Sequence, residues 1–174
     1  TRHWVGRHKL FSFGMIFSII LIITFLGFGF YAIKSFVGIS EDVKIGQFEN
    51  NLQEDVTELW KSQIGTMSAN RLEYSLPGKI EKICFIDTSR ARGIGKNAGI
   101  YSELETLLDV YTNANLVFYP IGSAGETEAI YIKHLDISNS TQDENPLCFN
   151  VENGRVNLAL ELERGENLVT VKKE

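Results

Sequence analysis

Residues 11–33 read FSFGMIFSIILIITFLGFGFYAI, an apolar run that no acid, base, amide or proline interrupts. This run limits the chain more than any other feature. A bilayer's hydrocarbon core is about 30 Å thick and takes about 20 apolar residues at 1.5 Å each, so a run of this length spans it with some tilt. The apolar core of a cleaved export signal is about 7–15 residues long and ends at an A-x-A-like site. The residues that follow here, IKSFVGIS, offer no such site. The segment therefore reads as a retained anchor, or as the element through which copies of the chain assemble.

Charge gives the segment a direction. Residues 1–40 hold four Lys or Arg (Arg2, Arg7, Lys9 and Lys34) and no Asp or Glu. Residues 41–174 hold the other 13 basic residues and all 22 acidic ones, a net of −9. Basic residues before the span and acids only after it place the N-terminus inside and the C-terminus outside. A body this acidic repels nucleic acid and anionic lipid.

Beyond the run, apolar residues recur at Ile45, Phe48, Leu52, Val56 and Leu59, with Trp60 and Ile64 close by. Steps of three and four describe one face of a helix, and the residues between them are polar. Ser40 is placed to cap this helix, Gly38 and Gly46 to loosen its join to the apolar run, and Gly65 to end it. The expected parts are a basic leader (1–9), a hydrophobic helix (10–37), an amphipathic helix (38–66) and a head (67–174).

In the head, KIEKICFID (79–87), NLVFYP (115–120), EAIYIKHLDI (128–137), LCFNV (147–151), VNLALEL (156–162) and NLVTVKK (167–173) read as strands. Residues 100–112 have helical spacing, and 138–146 read as a polar loop. Asn153-Gly154 and Arg164-Gly165 supply turn chemistry for a closing antiparallel meander. The fold class is α+β: a long N-terminal helix, transmembrane then amphipathic, followed by an antiparallel β-rich head with one short helix. The apolar stripe of 45–64, with Phe48, Leu52, Val56, Leu59 and Trp60, is the expected cover for the sheet.

Motifs that carry chemistry are sparse. GIGKNAG (93–99) departs from the phosphate-loop pattern at Arg90, where a glycine is needed, and at Asn97, where a hydroxyl is needed. It reads as a basic surface loop offering Arg90, Arg92 and Lys96 to an acidic face of a neighbour. No nucleophile has a base and acid arranged around it, and no Cys/His spacing suits zinc. The reading is a non-enzyme without cofactor or metal. Asn139-Ser140-Thr141 is an acceptor sequon for N-glycosylation. Cys84 and Cys148, the only cysteines, both lie in strand patterns. An outer compartment favours their disulfide; two buried free thiols are the alternative. In the span, Gly14 and Ser18 share a face, and Gly27, Gly29 and Ala32 form a second smooth patch beside Phe25. Small residues let helices approach closely in lipid, although glycine is common in membrane helices generally.

This order of parts resembles a type IV pilin or a related archaeal pilin-like surface protein. It is carried by residues 10–37, 41–64 and 72–173, with Cys84 and Cys148 in the head; the combination FSFGMIFSIILI, then IGQFENNLQEDVTELWKS, then LPGKIEKICFID also resembles small archaeal membrane-anchored proteins of unknown role. The resemblance implies a subunit of a surface filament or membrane-anchored assembly, whose hydrophobic helix half contacts lipid and identical neighbours. Other protein subunits are further partners. A single-pass anchored adhesin or accessory binding subunit is the alternative. The chain departs from the pilin pattern in two places: Gly6 follows Val5 rather than a basic residue, and the acid that bacterial pilins carry near the helix start has no match.

Overall fold

A computed structural model of the chain describes residues 13–62, 67–90 and 93–173. In chain order its elements are α1 (Phe13–Ser62), β1 (Met67–Ser75), β2 (Lys82–Phe85), α2 (Tyr101–Leu108), β3 (Leu116–Tyr119), β4 (Ala129–Ile130), α3 (Ile137–Ser140), β5 (Leu147–Asn150), β6 (Arg155–Leu162) and β7 (Thr170–Lys172). A single 3₁₀ turn, Ala98–Ile100, leads into α2. The fold is α+β, with a long N-terminal helix followed by antiparallel sheets. The chain divides into two compact units, Thr1–Ile39 and Ser40–Glu174. Ser40, Gly38 and Gly46 all lie within α1, so none of them caps or interrupts it. Gly65 lies outside the described residues.

The second unit is built on the amphipathic part of α1. Ile45, Phe48, Leu52, Val56 and Leu59 are all buried, and Leu52 and Val56 are wholly inaccessible. They pack against apolar residues from two sheets. One has the order β1-β6-β7, the other β4-β3-β2-β5, and every pairing within them is antiparallel. In β6 the alternation read in VNLALEL puts Val156, Leu158, Leu160 and Leu162 into this core. Phe48 reaches both sheets. Its ring meets Tyr74 of β1 edge-on at 5.5 Å and Phe118 of β3 at 5.8 Å. Such geometry adds about 0.5–1.5 kcal/mol per pair to what area burial gives.

The four-stranded sheet has a second buried face. Cys84, Val117, Ala129 and Cys148 point away from α1 and are covered by Tyr101, Leu104 and Leu108 of α2. This sheet is therefore sandwiched between the amphipathic part of α1 and α2.

Three readings of the sequence are corrected here. The last strands are not one meander: β5 pairs with β2, whereas β6 pairs with β1 and β7. The Asn153-Gly154 turn, with φ of 53° and 72°, passes the chain from one sheet to the other. Residues 128–137 do not form one strand, since β4 is only Ala129–Ile130. Beyond it, side-chain amides replace ladder partners. Asn115 accepts from Ile132 N–H and donates to Ile132 C=O, at 2.9 and 2.8 Å. Gln53 of α1 accepts from Lys133 N–H at 2.8 Å. His134 then takes φ = 66° and turns the backbone out of the extended direction. Last, the polar loop 138–146 overlaps α3, whose cap is the Asp136 carboxylate accepting from Asn139 N–H at 2.9 Å.

Candidate functional site

Two surfaces carry the residues singled out in the sequence. The first is the apolar part of α1. Among the described residues it is one helix long and apolar enough to cross a membrane, and none of its most apolar 18-residue window is buried. Phe25, Phe28 and Phe30 are at least 70% exposed. A soluble chain rarely displays so continuous an apolar surface. The hydroxyls within it are satisfied internally: Ser18 donates to Gly14 C=O and Thr24 to Ile20 C=O, both at 2.8 Å. In hydrocarbon such closure is required, because no water is present to take the bond. Gly14, Ser18, Phe25, Gly27 and Gly29 are exposed, and Ala32 is partly so. A Cβ added at Gly27 or Gly29 would meet nothing within 4 Å, so the smooth patch is open to a neighbour.

The second surface is the head. Cys84 and Cys148 form a disulfide between facing positions of β2 and β5. Both are buried under α2. The link closes a sequence separation of 64 residues, worth about 4 kcal/mol in the chain-entropy treatment. Of the stripe on α1, Phe48, Leu52, Val56 and Leu59 are core. Trp60 packs at its edge, stacked on His134 at 3.9 Å between ring centroids.

The candidate contact loop is tied to the body of the head through Arg90. Arg90 turns inward onto the following polar loop and ties the two together. Its guanidinium donates to Ser138 C=O at 3.0 Å and to Thr141 C=O at 3.3 Å, and lies 3.6 Å from the Asp87 carboxylate. Below it, Asn145, wholly buried, exchanges two bonds with the Asp87 backbone. Tyr101 donates to Arg90 C=O at 2.7 Å. A cation with these partners clamps the two loops together. Arg92 lies outside the described residues. Lys96 is exposed.

Two of the three glycines of GIGKNAG, Gly93 and Gly95, have packing reasons. A Cβ at Gly93 would lie 2.6 Å from Tyr101 Cβ, and Gly95 takes φ = 79° against Asp143 and Glu144. Asn139 is exposed on α3, but Thr141 of its sequon is wholly buried and donates to Ile137 C=O at 2.7 Å. Among the described residues no group of three or more His, Cys, Asp or Glu is placed to hold a metal ion. Comparison with protein-family models, with curated proteins and with solved structures finds no match.

Proposed function

We propose that this chain is a structural subunit of a membrane-anchored surface assembly. The apolar part of α1 is held in the bilayer and against the same helix of neighbouring copies, and the head is displayed on the extracytoplasmic side. The observation that carries the reading is the unburied apolar length of α1 within the same helix that supplies the head's core stripe. Three further features support it. The basic leader and the acidic body agree with an inside-to-outside orientation. The disulfide suits an oxidising compartment. The small-residue patch at Gly27, Gly29 and Ala32 suits close helix approach.

The reading is tested by imaging full-length material extracted from its membrane in mild detergent. Filaments, rings or other regular multi-subunit particles are expected. A uniform population of single-chain particles, each with its own detergent belt, would contradict assembly while leaving the anchor in place.

A further inference from the structure

The head carries a groove of about 340 Å³ between the outer edge of β5 and the outer face of the β1-β6-β7 sheet. Its charge is out of keeping with the rest of the head. Lys82, Lys96, Arg155, Lys172 and Lys173 line it, and Glu152 is the only acid among the described lining residues. Thus five of the 13 basic residues of 41–174 gather where one of that stretch's 22 acids stands. Three of the five already have partners: Arg155 with Glu73 at 2.8 Å, Lys172 with Glu163 at 3.3 Å and Lys173 with Glu144 at 2.6 Å. Lys82 and Lys96 form no ion pair among the described residues. The ammonium of Lys82 has only the Asn97 amide oxygen, at 3.5 Å.

The groove also holds main chain that has no hydrogen-bond partner among the described residues. Val151 N–H donates to Glu81 C=O, and this sets the parity of the β2–β5 ladder. Leu147 and Phe149 then bond to β2, while Cys148 and Asn150 turn their N–H and C=O groups away from it. On that side β5 is an edge strand, and the groove wall is Cys148, Phe149 and Asn150. The side chains of Asn150 and Asn157 are exposed beside it.

A strand edge, exposed at Asn150 and buried at Cys148, flanked by cations makes a specific combination. A small anion would use the lysines and leave the edge unpaired. An extended peptide uses both, bonding to the edge while its alternate side chains face the lysines. We propose that this groove binds an extended acidic peptide segment, added as a short strand to β5, with carboxylates held by Lys82 and Lys96. The inference goes beyond the assembly reading and stands whether or not copies of the chain associate through α1.

The test uses the full-length chain in detergent and a fluorescent peptide of alternating Thr and Glu, read by fluorescence polarisation. Binding that weakens as salt rises is expected, and the matching Thr-Gln peptide should not bind. The double variant K82E/K96E should lower affinity about tenfold or more. Asn150→Pro removes one outward N–H from an edge strand, where proline is tolerated. It should weaken peptide binding while leaving binding of a polyuronate unaltered. Each variant is accepted only with an unchanged thermal melt. No peptide binding up to about 1 mM, binding indifferent to K82E/K96E, or a polyuronate preferred over the peptide with N150P silent for both, would each overturn the proposal.

Discussion

Tyr74 and Asp55 illustrate how single residues join the strands to α1. The Tyr74 hydroxyl donates to the Asp55 carboxylate across the junction of β1 and α1. Burial, followed by that hydrogen bond and the negative charge of Asp55, pushes the Tyr74 hydroxyl far above the ordinary tyrosine value. Tyr101 moves the same way, through burial and then the charges of Glu105 and Asp87. The folded state therefore holds these protons more tightly than the unfolded chain does. Their contribution is complete below pH about 10, the unfolded tyrosine value, and is lost as pH rises above it. Thermal melts followed across that range should show stability falling with increasing pH. Tyr74→Phe should flatten the fall, and at neutral pH it should cost about 1–2 kcal/mol through the lost bond to a charged acceptor. An unchanged alkaline profile in that variant would count against the assignment to Tyr74.

At the scale of elements, the stripe on α1 organises the head. Phe48 is wholly buried and touches aromatic rings of both sheets, so its loss loosens each sheet's hold on the helix. Phe48→Ala should lower head stability by about 3–5 kcal/mol, as chemical or thermal unfolding would measure. A cost near that of an exposed substitution would mean that the helix is not the centre of the core. This stripe was legible in the sequence because Ile45, Phe48, Leu52, Val56 and Leu59 repeat at helical spacing. Strands β2, β3, β5 and β6 were legible for a similar reason, as short apolar or alternating runs between turn residues. Sheet membership was not. Asn153-Gly154 has the composition of a hairpin turn, and nothing local says that its two strands belong to different sheets. Nor could EAIYIKHLDI reveal its early end, because Asn115 and Gln53 take over its backbone bonds from far along the chain. The bonds of Arg90 were hidden for the same physical reason: its partners, the carbonyls of Ser138 and Thr141, are about 50 residues away in sequence. The cationic groove was equally hidden, since it draws Lys82, Lys96, Arg155, Lys172 and Lys173 from separate segments.

At the scale of the whole molecule, the central claim is that copies meet through the apolar part of α1. Energetically, lipid alone can satisfy that surface, because hydrocarbon is as apolar as leucine; association needs close packing at small residues. Gly27 is the sharpest probe. An added Cβ there meets nothing within 4 Å, and the two native cysteines are bonded to each other, which leaves no free thiol among the described residues. Gly27→Cys therefore introduces a single reactive thiol without crowding its own helix. Mild oxidation of that variant in its native membrane should give covalent dimers in most of the chain. If Gly27→Cys stays monomeric under oxidation, and a cysteine scan of residues 13–37 finds no position that crosslinks, the helix faces lipid alone and the account of assembly is wrong.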